Sequence, residues 1–185
     1  MSARAEIGHT VATSHAIWNH GTEKVFAVRR RIAEEQPGRL QAALRALLRA
    51  AAHCDDPKNA PAIAAILAQD HYLGLPEEVI LTSLPGAGSR GAGTADVSVF
   101  FANAATFPWR SHALWFVGQM RRWGWLDEVF DPEALAAQVY RPDLLAEAVE
   151  AEGLYPAADL PALESTAMLP MLDDEAFSPG GRARR

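Results

Sequence analysis

Apolar positions along the chain recur every three to four residues far more often than every two, so the pattern predicts helices and few strands. The clearest stripe is Leu40, Leu44, Leu47, Leu48 and Ala51, with Arg45 and Arg49 between them on the solvated side. An earlier helix is expected to begin near Thr22, which can cap it, and to turn Val25, Phe26 and Ile32 inward. It should end before Pro37-Gly38, where an amide donor is lost and a flexible residue follows. After Asp55-Asp56-Pro57 a third helix carries Ile63, Ile66 and Leu67 on one face, and the acidic pair suits its positive N-terminal end. A short helix opens at Pro76-Glu77-Glu78. From Ser111 to Trp123 a longer helix turns His112, Trp115, Phe116 and Gln119 to one side, until Gly124 ends it. Two more, Pro132 to Tyr140 and Pro142 to Glu152, each open with proline in the first turn.

Strand signals are sparse. Thr10-Val11-Ala12-Thr13 is a short run with β-branched members, and Asp96 to Phe101 suits a short strand or an extended leg. Pro85 to Thr94, rich in glycine and small residues, is expected to be a loop. The tail from Tyr155 is broken by Pro156, Pro161, Pro170, Pro179, Gly180 and Gly181 and is expected to be extended or disordered. The expected architecture is therefore mainly α with a few short strands: residues 1–155 form the folded part and 156–185 a tail.

Composition narrows the function classes. The 185 residues, 49% of them hydrophobic, suffice for one domain or a large part of a two-lobed protein. A net charge of -6 argues against direct nucleic-acid binding, which favours a basic face. Cys54 is the only cysteine, which excludes an internal disulfide and any zinc site needing two or more thiolates. Residues 1–7 carry no apolar run of signal-peptide length, so the chain as written reads as cytoplasmic; with a missing N-terminal part it would be periplasmic.

The candidate chemistry is thin. Gly86-Ala87-Gly88-Ser89-Arg90-Gly91 spells GxGxxG, but no helix opens after it, so it reads as a flexible loop and no nucleotide cofactor is expected. The six histidines form neither an HExxH nor an HxH pair, and no metal site is expected. His53-Cys54-Asp55-Asp56 looks like a ligand cluster on paper, yet its place at a helix C-terminus accounts for it. Ser111 and His112 are adjacent, about 100 degrees apart on a helix, which is poor geometry for a nucleophile and its base. Arg29-Arg30-Arg31 spreads round a helix as a solvated face. Four of the five tryptophans lie within 17 positions, among Phe107, Trp109, Trp115, Phe116, Trp123 and Trp125, and suit a core or an interface. No catalytic residue is expected, and an enzyme is not.

One resemblance goes further. The segment Phe101–Gly124, containing Ala-Thr-Phe-Pro-Trp-Arg-Ser-His-Ala-Leu-Trp-Phe, resembles a stretch of the nitrate/bicarbonate (NrtA/CmpA-type) solute-binding family. Val139-Tyr-Arg-Pro-Asp143 is similar to that family's "VYRPD", Ala16-Ile-Trp18 with Glu23-Lys-Val-Phe26 to its "IW…PEKVF", and Leu47 to Asp56 to its "ALLEAxxWCDD" helix. The resemblance covers about residues 10–155 and corresponds to the family's C-terminal portion. Thr22 departs from the pattern, since proline is usual there.

This resemblance implies part of a type II periplasmic-binding-protein lobe, with Thr10–Thr13 as the crossover strand and helices after it. It implies a substrate-binding component of an ABC importer for a small inorganic anion such as nitrate or bicarbonate, truncated relative to the family. Its partners would be ABC permease subunits. The alternatives are a cytoplasmic nitrate-sensing regulator that binds an antiterminator partner, and a remnant that binds no anion. The cleft position after the crossover strand falls at Thr13, Ser14 and His15, the residues expected to touch ligand. Missing sheet should also leave Leu44, Leu48 and Trp115 uncovered, which predicts self-association.

Overall fold

A computed structural model describes Val11, residues 24–84, 99–126 and 131–154, and two short segments at 169–170 and 176–177. The chain divides into two compact units, Met1–Ala16 with Ala46–Thr106, and Ile17–Arg45 with Phe107–Arg185. In order along the chain, the described helices are α1 (Arg30–Glu35), α2 (Pro37–Asp55), α3 (Ala60–Leu67), α4 (Glu77–Leu81), α5 (Arg110–Arg122), α6 (Pro132–Val139) and α7 (Pro142–Glu152). Short 3-10 turns occupy Pro57–Asn59 and Ala102–Ala104. The described strands are β1 (Leu169–Pro170) and β2 (Ala176–Phe177), antiparallel, with Leu169 opposite Phe177 and Pro170 opposite Ala176. The mainly helical expectation holds among the described residues.

In the first unit α3 packs on α4. Ala60, Ile63, Ala64, Ile80 and Leu84 are buried together, with Cys54, Leu67, Ala68, Leu75 and Leu81 packed against them. The inward line of α3 is Ala60, Ile63, Ala64 and Leu67, spaced three, one and three, as one helical face requires. Ile66 was expected on this face but lies off the line and is 50% exposed. The helix is entered through the Asp56 side chain, which accepts from the Lys58 amide at 3.0 Å, and through Pro57, whose missing donor costs nothing in a first turn. Asp55 does not share that capping role, contrary to expectation, because its carboxylate is engaged elsewhere.

The second unit contains the first half of α2 together with α5, α6 and α7, and α5 packs on α6. The Gln41 side-chain amide donates to the Leu144 carbonyl at 3.0 Å and to Glu147 Oε2 at 2.8 Å, which ties α2 to α7. Arg45 Nε lies 3.8 Å from Glu152 Oε1. Ala136, Ala148 and Val149 are almost fully buried. On α2 Leu40 and Leu48 are buried, Leu44 and Ala51 half-buried, and Leu47 is exposed, so Leu48, expected to be left uncovered, is instead covered.

The first predicted helix needs the largest correction. Residues 24–29 are not helical, α1 has six residues, and Val25, Phe26 and Ile32 are exposed rather than turned inward. Val25, Phe26 and Val28 are weak helix formers, and Arg29 at the N-cap offers no side-chain acceptor, so the costly first turn has little to support it. The stop at Pro37 is where the pattern placed it, and Pro37 itself becomes the first residue of α2.

Helices α5 and α7 end alike. Gly124 (φ 72°) and Gly153 (φ 63°) take the left-handed conformation that a side chain disfavours. Trp125 then donates back to the Met120 carbonyl at 2.8 Å, and Leu154 to that of Val149 at 3.4 Å, which closes each helix end. No described helix is long and apolar enough to cross a membrane.

Candidate functional site

Thr13, Ser14 and His15 lie outside the described residues, as does the Gly86–Gly91 loop. Of the expected crossover strand only Val11 is described; it is an exposed bend, not a strand. Of the Asp96–Phe101 leg, the described part bends into the 3-10 turn instead of forming a strand. The expected boundary between residues 155 and 156 lies outside the described residues.

The best-built polar arrangement in the described residues begins at Asp55. Its Oδ1 accepts the Phe100 amide at 2.8 Å, and its Oδ2 accepts those of Phe101 at 2.8 Å and Ala102 at 2.7 Å. One carboxylate at the end of α2 thus gathers three successive backbone donors from a segment 45 to 47 positions away. Such charge-assisted bonds to backbone amides are short and strong. They hold the entrance to Phe101–Gly124, directly before Ala104, a buried non-glycine residue with φ 54°. A left-handed alanine costs on the order of 1–2 kcal/mol, which the clamp helps to offset. Nothing in the sequence announced this partnership, since only the fold brings Asp55 to residues 100–102.

Beyond the clamp, Phe107 and Trp109 meet edge to face with ring centres 4.5 Å apart, and Trp109 caps α5. Ser111, Ala113 and Val117 make the deepest face of that helix. The predicted face of His112, Trp115, Phe116 and Gln119 is only half-buried, with Trp115 and Phe116 in contact at 5.1 Å. Trp123 and Trp125 pair at 5.1 Å and are exposed. The aromatic cluster is thus divided between core and surface.

The Val139–Asp143 stretch joins α6 to α7. Arg141 grips Asp143 through Nε at 2.9 Å and Nη2 at 2.7 Å, a two-pronged pair across Pro142. The hydrogen bond from Arg141 holds the Asp143 carboxyl below its ordinary range, and the same bond raises the guanidinium. Burial pushes the Tyr140 hydroxyl up. These residues set a tight corner between helices.

His53-Cys54-Asp55-Asp56 is dispersed. Asn59 Nδ2 binds the His53 carbonyl at 2.9 Å and lies 3.1 Å from its ring Nδ1, Cys54 packs on the α3 core, and the two acids serve different turns. Burial, then the neighbouring Asp55 charge, pushes the Cys54 thiol up, away from nucleophilic duty. Among the described residues no group of three His, Cys, Asp or Glu side chains could hold a metal. A shallow cavity of about 260 Å³ between α2 and α7 is lined by Gly38, Leu40, Gln41, Arg45, Leu144 and Glu147 among others. Among its polar side chains Gln41 binds Glu147, and Arg45 lies against Glu152.

Comparison with known proteins supplies what this geometry lacks. A family model described as NMT1-like matches residues 2–68. The nitrate/nitrite binding protein NrtA of Synechococcus elongatus is 34% identical over 94% of this chain and 40% of its own length. The bicarbonate-binding protein CmpA of the same organism is 28% identical over 96% of this chain and 42% of its own. The crystal structure of the periplasmic nitrate-binding protein NrtA from Synechocystis PCC 6803 superposes with a TM-score of 0.78 at 26% identity, covering 90% of this chain and 45% of that one. The described architecture is thus that of a periplasmic binding protein over the matched part, and the chain spans about two fifths of the length of the curated relatives it matches.

Proposed function

Taking as premise that the chain is a relative of the nitrate- and bicarbonate-binding solute-binding proteins, matched over part of their length, we propose that it is a binding component and not an enzyme. It supplies the C-terminal portion of the substrate-binding subunit of an ABC importer for a small inorganic anion, nitrate or bicarbonate. The observation that carries this reading is the double match to NrtA: 34% identity over 94% of the chain, and a TM-score of 0.78 over 90% of it. Residues 1–155 form the lobe portion, and Thr13, Ser14 and His15 line the cleft.

A small planar anion has little apolar area, so its affinity comes from converging donors in a water-poor cleft. A single face supplies too few. Titration calorimetry with nitrate and with bicarbonate tests this, first on the chain alone and then with a polypeptide carrying the rest of the family fold. Weak or no binding is expected alone, and a micromolar Kd once assembled. No binding in either state overturns the anion-binding assignment; micromolar binding by the chain alone overturns the incomplete site.

A further inference from the structure

We propose that Phe100–Thr106 is a two-state strap, closed while the Asp55 carboxylate fills a cradle of three successive amides, and open to another carboxylate once Asp55 leaves. The cradle is the convergence of the Phe100, Phe101 and Ala102 amides on the two oxygens at 2.7–2.8 Å. Successive backbone donors that meet on one anion recognise its charge and shape, and not the residue that carries it. Asp55 is half-buried, so water reaches the carboxylate.

The segment tethered by the cradle carries two costs of its own. Ala104 is buried at φ 54°, a left-handed conformation that its side chain resists. Two residues on, Thr106 Oγ1 is shielded from water and has no hydrogen-bond partner among the described residues. A buried hydroxyl left unpaired also works against the closed state. Movement of the segment relieves both, because alanine regains an ordinary backbone conformation and the hydroxyl meets water. The charge-assisted bonds to Asp55 oppose them. Closure is thus a balance of a few local terms. The α3–α4 core is built from residues between Cys54 and Leu84, so the strap can open without disturbing it.

Hydrogen exchange of the whole native chain, in urea below the unfolding range, tests the strap. The amides of residues 100–102 should exchange by a route that urea barely accelerates, whereas those of α3 should follow global unfolding. In Asp55→Gly the same amides should exchange about tenfold faster or more. Excess sodium formate should refill the cradle and slow them again, while sodium perchlorate at equal ionic strength should not. Ala104→Gly and Thr106→Val keep Asp55 and remove one cost each, so either should slow exchange at residues 100–102 about threefold or more. These two variants carry the test should Asp55→Gly fail to fold. Urea dependence equal to that of α3 overturns the separate strap. A folded Asp55→Gly whose exchange ignores formate overturns the cradle. Exchange that is unchanged or faster in both Ala104→Gly and Thr106→Val overturns the two-state balance.

Discussion

Replacing Asp55 by asparagine keeps the size of the side chain but removes its charge and one of the two acceptor oxygens. Three amides, those of Phe100, Phe101 and Ala102, then compete for a single neutral oxygen, and the new NH2 group faces donors. Hydrogen bonds to a charged group contribute roughly 1.5–3 kcal/mol each in mutational comparisons, but three bonds to one half-exposed carboxylate are not additive. A loss of about 2–3 kcal/mol is therefore expected, the larger part from stranding the amides. The left-handed Ala104 immediately downstream should lose its support as well, so Ala104→Gly in the Asp55→Asn background is expected to recover about 1 kcal/mol. Urea unfolding followed by circular dichroism gives the stability, and hydrogen exchange at the three amides gives the locality. Protection should fall at residues 100–102 before it falls in α3. Stability within about 0.5 kcal/mol of the parent, with unchanged exchange, refutes the claim that this carboxylate organises the entrance to the aromatic helix.

Other consequences are more local. Asp131 accepts from the amides of Glu133 and Ala134, so Asp131→Ala should cost about 1 kcal/mol in a thermal melt, through α6. The sole cysteine makes thiol chemistry clean: with its pKa raised, Cys54 should react with a disulfide reagent at pH 7.5 several-fold more slowly than a free thiol, and urea should abolish the difference. The Asp143 carboxyl sits below its unfolded pKa, so its stabilisation is present above the unfolded value and is lost as pH falls through the folded one. Since the Arg141–Asp143 pair is largely exposed, Asp143→Asn should cost only a few tenths of a kcal/mol at neutral pH, less in high salt, and nothing at pH 2.

Much of this protein is written locally. The helices Pro132–Val139 and Pro142–Glu152 were legible because proline in a first turn acts within that turn alone. The stops at Pro37 and Gly124 obey the same short-range chemistry, and the kinship with anion-binding proteins was readable from ordered motifs. What stayed hidden were the facts set by distant partners. Val25 and Phe26 have the apolar character of a buried helix but stand exposed, because burial depends on what packs above them. Leu47 and Ile66 sit beside core residues on their own helices and still face water, since periodicity gives the face and not its width. Asp55 has the sequence position of a helix-start charge, but tertiary structure gives it three amides from across the sequence. Spacing along a chain determines which side chains share a surface, whereas the neighbour that meets that surface exists only once the polypeptide has closed on itself.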